Sequence, residues 1–178
     1  MSSILKVDEI QDTSGNNIIN ENANTITIGK SGDTVNLASG ATAGFGKLLQ
    51  VVTATDSTNR STTSTSYVTG SSTLSVDITP SSTSSKVLIH LSCMLYIPSS
   101  FGKLTIFRDS TDLAGSAAFA TTDGNADYYA TSGIHFLDSP STTSQITYQM
   151  RFKSGAGTQT DIANASALGS ITAMEIGA

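Results

Sequence analysis

The chain has 178 residues and a net charge of −5, with apolar residues at 38% and charged residues at only 13%, where roughly 25% charge is usual for a soluble protein. Hydroxyls fill the deficit: 28 Ser and 26 Thr stand against 15 Gly and 3 Pro. Nine Lys and Arg set among fourteen Asp and Glu argue against a nucleic-acid partner, which needs cations to replace phosphate counterions, and no run approaches the ~18 consecutive apolar residues of a membrane-inserted helix.

The length suits one domain of about 100–150 residues plus an appendage. The opening, Met1 to Asp8, shows neither a basic start before an apolar run nor a small-residue cleavage site, so synthesis in a cytoplasm is expected. A single cysteine, Cys93, leaves no intrachain disulfide, so packing or assembly must supply stability.

Residues 1–46 read as a stem or anchor and 47–178 as a head, divided near Gly44-Phe45-Gly46. In the first part, Ile26 and Ile28 alternate, and Val35 and Leu37 repeat the pattern nine residues on. Strands so short cannot bury a core alone, because isolated two-stranded pieces are marginal in water. Two arrangements answer this. Three chains sharing Ile26, Ile28, Val35 and Leu37 around an axis would form an interleaved homotrimeric stem, or the segment would order only against a larger surface.

In the second part period-2 alternation predicts strands over Leu48 to Ala54, Leu74 to Thr79 and Val87 to Ile97, then over Leu104 to Phe107, Gly133 to Leu137, Gln145 to Phe152 and Ser170 to Ile176. Hydroxyl-rich or Gly/Asp-containing connections fall at Ser57 to Ser66, Pro80 to Ser85, Pro98 to Ser100, Thr121 to Asn125 and Pro140 to Ser144, with a turn around Ala114 to Ala120. No window carries helical periodicity with caps. Seven or eight antiparallel strands make an all-β head, best closed as a two-sheet sandwich, and a jelly roll is the common arrangement for eight.

The chemistry-bearing residues form no catalytic constellation. His90 and His135 sit mid-strand between apolar neighbours with no third ligand in sight, although strand pairing could unite them at a trimer axis. Cys93 has core parity and reads as a small buried hydrophobe. No Gly-x-Ser-x-Gly, P-loop or dinucleotide fingerprint occurs. Asp123, Asn125 and Asp127 begin like a calcium loop, but Tyr128 stands where the glycine belongs and Ile134 where the bidentate Glu belongs, so a turn is expected. Asp109 and Asp112 flank another turn, and no Glu lies in a predicted head loop for a two-carboxylate glycosidase. No catalytic residue, metal or cofactor is therefore expected.

Binding fits better. Asp123, Asn125 and Asp127 precede Tyr128 and Tyr129, one of which must face outward from a strand. Such a group would hold a sugar or pack at a subunit boundary, where tyrosines are enriched. Tyr96, Phe101 and Phe107 read as a second aromatic group around the Pro98 turn. The sequons at Asn59 and Asn164 would matter only in a secretory pathway.

Met1 to Asp12, Asn24 to Gly29 and Gly32 to Thr42 resemble the start of tail-fibre-like and other virion proteins of marine bacteriophages, especially those of cyanobacteria. Thr62 to Tyr67, Ile78 to Ile89 and Ile171 to Ile176 are similar to the C-terminal domains of such proteins, so the resemblance spans most of the chain. It implies a virion structural protein: a homotrimer with a slender N-terminal part that meets other virion proteins through 1–46, and a β-sandwich head used in attachment to a host surface glycan or protein. Most such fibres are much longer, which points to a short fibre or spike, with a capsid or neck decoration without receptor binding as the alternative and a glycan-degrading tailspike as a weaker one.

Overall fold

A computed structural model describes residues 47–70, 72–124, 128–162 and 167–177, all within the compact unit Ala43–Ala178. The stem residues Ile26, Ile28, Val35 and Leu37 lie outside the described residues, as do Asn125 and Asp127.

Among the described residues there are eleven strands and no helix. They are β1 (Lys47–Asp56), β2 (Arg60–Thr62), β3 (Ser75–Ile78), β4 (Lys86–Ile97), β5 (Ser100–Arg108), β6 (Thr111–Asp112), β7 (Ala120–Gly124), β8 (Tyr128–Asp138), β9 (Ile146–Ser154), β10 (Thr160–Ile162) and β11 (Gly169–Gly177). All pairings are antiparallel. In the first sheet β11 and β10 run end to end along one side of β4, β1 and β2 run end to end outside them, and β8 lies on the other side of β4. In the second sheet the order is β3, β9, β5, with β6 and β7 end to end along the far side of β5.

Counting each interrupted pair once leaves eight positions in chain order. The first sheet then reads first, eighth, third, sixth, and the second reads second, seventh, fourth, fifth. That interleaving, in which consecutive segments alternate sheets except for the fourth and fifth, which pair with each other, and the first and last segments lie side by side, is the double Greek key of a jelly roll. The all-β sandwich and the jelly-roll arrangement expected from alternation are both present.

The core follows from parity. Val87, Ile89, Leu91, Cys93, Leu95 and Ile97 of β4 all point inward and are buried, and Ile146, Tyr148, Met150 and Phe152 of β9 face them from the second sheet. Cys93 is buried here as its parity requires.

All seven predicted strands form; most run longer than predicted, while β3 is a residue shorter at each end and β9 starts one residue later. Four further strands form: β2 inside the connection expected at 57–66, β7 largely within that at 121–125, β6 just before the turn expected around Ala114 to Ala120, and β10 between the last two predicted strands. Each is five residues or fewer, too short to show a period, and each continues a neighbour's ladder. Asp56 explains why β1 breaks rather than ends. Its buried carboxylate accepts from Thr58 N (2.8 Å), Thr73 N (2.9 Å) and the Arg60 guanidinium (2.9 and 3.2 Å), folding the chain into the turn that launches β2.

Candidate functional site

The residues expected to bind lie toward the end of the first sheet where β4 finishes and β8 begins. Register places Tyr129 opposite Tyr96 and Tyr128 opposite Ile97, the last rungs of the β4–β8 ladder. The Tyr96 and Tyr129 rings stack with centroids 4.6 Å apart, tilted by 33°, a separation that suits an aromatic pair. Alternation expected one of Tyr128 and Tyr129 to face outward, but both are half-exposed, at 50% and 51%. Tyr128 has the parity of buried Ile97, yet it sits at the first position of its strand, where the ladder ends.

Asp123 lies in β7 opposite Phe101, so the expected turn at 121–125 is instead mostly strand. The second aromatic group divides between the sheets. Tyr96 joins Tyr129, while Phe107 packs edge-on to Tyr67 at 6.1 Å beneath the Arg151 guanidinium at 3.9 Å. Phe101 lies so close to Gly155 that a Cβ there would overlap its ring. The sequence spacing suggested one cluster; β5 belongs to the sheet opposite β4, and this separates Phe101 and Phe107 from Tyr96.

Strand pairing unites the histidines within one chain. His90 and His135 are directly opposite in register, and their rings stack at 4.4 Å with 7° between planes. Among the described residues no group of three or more His, Cys, Asp or Glu side chains could hold a metal.

Asp109, Asp112, Asp138 and Glu175, like Asp56, are occupied in structure. Asp109 caps the approach to β9 by accepting from Thr147 N (2.9 Å), and Asp112 accepts from Thr105 Oγ1 (2.6 Å) and Ala114 N (3.0 Å). Asp138 accepts two hydrogen bonds from Arg108 Nη1 (2.7 and 3.0 Å) and one from the Tyr148 hydroxyl (2.6 Å), bridging β8 to β5 and β9 and so one sheet to the other. Burial and then this carboxylate push the Tyr148 hydroxyl far above its ordinary range. Glu175 is fully buried. Burial raises its carboxyl, but hydrogen bonds from Gln50 and Ser81 outweigh that and hold it down to about 2.

The geometry therefore offers an exposed aromatic end and acids committed to turns and inter-sheet ties. The sequence missed the Tyr96–Tyr129 pair because it is a cross-strand contact between residues 33 apart, visible only once the register is known. No protein-family model matches the chain, and no curated protein matches it significantly.

Proposed function

We propose that this protein is a structural and adhesive component of a bacteriophage particle, the subunit of a short homotrimeric fibre or spike whose jelly-roll domain meets the host surface. In this reading residues 1–46 join the subunit to other virion proteins, and the end of the first sheet carrying Tyr96, Tyr128 and Tyr129 contacts a surface glycan or protein. No catalytic step and no cofactor is assigned.

The observation that carries the adhesive part is the pair of adjacent, half-exposed tyrosines at the start of β8, one of them stacked on Tyr96. Tyrosine supplies a large, rigid apolar face with a polar tip at little entropic cost, which suits it to contact surfaces. Sugars offer the complement, a C–H face with hydroxyls at its edge. The resemblance to virion proteins and the jelly-roll architecture support the assignment to a particle.

The test joins location to binding. Antibodies against this chain are applied to intact virions for electron microscopy, and the purified full-length protein is assayed for retention on host cells. Tail labelling, with cell binding that falls at least tenfold in Tyr128→Ser/Tyr129→Ser, is the expected outcome. Label spread over the capsid together with no cell binding would replace adhesion by decoration. Reducing sugar released from host polysaccharide would replace it by a glycan-degrading spike.

A further inference from the structure

The outer face of the second sheet gathers charge that the fold does not use. Lys103 on β5 and Lys153 on β9 are directly opposite in register, and Arg151, in the adjacent row, faces Thr105. The bridge between Val68 and Phe152, with Val68 packed against the core, places Tyr67 beside Lys153 on the same outer side. Like charges set directly opposite one another work against strand pairing. In a chain with nine Lys and Arg and a net charge of −5, stability alone gives no reason to crowd three of those cations into two adjacent rows.

Their surroundings are equally one-sided. Arg60 and Arg108 are paired with Asp56 and Asp138, whereas Lys103, Arg151 and Lys153 have no ion pair among the described residues. Each lies instead over a ring: Lys103 Nζ over Phe101 at 5.6 Å, Arg151 over Phe107 at 3.9 Å and Lys153 Nζ over Tyr67 at 4.3 Å. The two lysines thus lean apart onto different rings. Arg151 donates only to neutral oxygens, Gln149 Oε1 at 3.1 Å and Asp109 O at 3.4 Å. The buried Tyr67 hydroxyl has no hydrogen-bond partner among the described residues. The carboxylates of this sheet fall in other rows. Asp77 accepts from Thr147 Oγ1 and Asp112 from Thr105 Oγ1, each at 2.6 Å, and Asp123 stands opposite Phe101 on the edge strand β7. The strip therefore holds positive charge and donors without an acceptor.

We infer that this strip binds an acidic polysaccharide, with a carboxylate or sulfate group of the ligand held between Lys103, Lys153 and Arg151. Charge complementarity selects an anion, because an oxyanion placed there turns the opposed lysines from a repulsion into two charge-assisted hydrogen bonds. The aromatic flanks select a sugar. Phe101, Phe107 and Tyr67 are only part-buried, so a ligand resting on the cations also meets apolar carbon, which suits the C–H surface of a sugar ring and gives a bare inorganic ion nothing. Three cations are too few to replace the counterions along a nucleic-acid backbone. The strip lies on the sheet opposite the Tyr96–Tyr129 pair and does not depend on the contact proposed for those tyrosines.

Calorimetric titration of the full-length chain with alginate, dextran sulfate, neutral dextran and polyglutamate tests it. Binding of alginate or dextran sulfate, but not of dextran, is expected, weakening as salt is added. Affinity should fall by at least about tenfold in Lys103→Gln/Lys153→Gln and persist in Lys103→Arg/Lys153→Arg, in Lys86→Gln on the first sheet and in Tyr128→Ser/Tyr129→Ser. Removing the opposed charges should leave thermal unfolding unchanged or raise it, which separates lost binding from lost fold; Lys153→Gln alone decides should the double variant misfold. Neither polyanion binding more tightly than about 1 mM, equal binding of dextran, or binding undiminished by the Gln substitutions would overturn the site. Polyglutamate bound more tightly than both polysaccharides would overturn the sugar as its ligand.

Discussion

Glu175 gives the sharpest quantitative expectation. It lies on β11 with an inward-facing, fully buried carboxylate, and every hydrogen bond described for it donates into that group. Gln50 Nε2 reaches Oε2 at 2.7 Å, while Ser81 N and Ser81 Oγ reach Oε1, each at 2.7 Å. Gln50 also donates to Thr79 O at 2.7 Å, so one carboxylate ties β1, β11 and the turn before β4 together. A carboxyl that titrates near 4.5 when unfolded and near 2 when folded contributes about 3 kcal/mol at neutral pH. As the pH falls below 4.5 the unfolded chain takes up the proton first. The contribution is therefore complete above about pH 4.5 and gone below about pH 2.

Glu175→Gln keeps the shape and removes the charge, and its amide turns a donor toward Gln50 or Ser81. Urea denaturation followed by circular dichroism should show a loss of about 3 kcal/mol at pH 7. The loss should shrink steadily between pH 4.5 and pH 2.5 as the unfolded wild-type chain takes up the proton that the native carboxylate still refuses. Asp56 is also held well below the ordinary carboxylate range, by Thr73 and Thr58 N–H and by Arg60, against the upward push of burial. It is present in both proteins and cancels in the comparison. Equal stability at pH 7, or a loss of the same size at pH 7 and pH 2.5, would refute the reasoning.

Three further substitutions probe other ties. Tyr148→Phe removes the 2.6 Å hydroxyl bond to Asp138 and leaves the Arg108–Asp138 pair in place; thermal or urea unfolding should show a loss of about 2 kcal/mol, typical of a hydrogen bond to a charged group. Gly70→Ala should cost about 2 kcal/mol by the same assay, because φ is +57° there and a Cβ would sit 2.7 Å from the Phe152 ring. Asp112→Ala releases both Thr105 Oγ1 and Ala114 N, and with Thr105 buried it should cost about 1–2 kcal/mol and speed amide exchange at 113–119.

The long strands were legible because each has one buried and one open face, and alternation records that difference directly. β4 and β9 show it without an exception at the core positions. β10 defeats the same reading because all three of its residues are buried; a strand covered on both sides has no period to detect. β2, β6 and β7 were missed for a different reason, since two to five residues of Arg, Ser, Thr, Asp, Ala and Gly carry no apolar signal. Their strand character comes from the neighbour that continues past a turn. The candidate site was half legible for the same reason. Tyr128 and Tyr129 stand out in sequence, but the partner of Tyr129 is fixed by register, as is the meeting of His90 with His135.

The hydroxyl content acquires a structural meaning at the turns. Thr62 Oγ1 accepts from Ser64 N, Ser64 Oγ from Ser66 N, Ser72 Oγ from Leu74 N, Ser82 Oγ from Ser84 N, Thr142 Oγ1 from Ser144 N and Ser154 Oγ from Ala156 N, at 3.0–3.3 Å. Asp56 and Asp112 do the same for Thr58 N and Ala114 N. Each is a side chain bonding the backbone two residues on, a local bond that competes with helix and favours a change of direction. Fixing turns this way needs no proline, which accounts for a β-sandwich built with 3 Pro in 178 residues, although the turns after Asp112 and Ser154 still use the left-handed Gly115 and Gly157. It also spares charge. Loops whose backbone is satisfied by neutral hydroxyls do not depend on Lys or Glu for their polar contacts, so the few cations of the head can gather over the aromatic rings of the second sheet. The first sheet's outer face carries instead the apolar row Val51, Met174, Leu88 and Leu137.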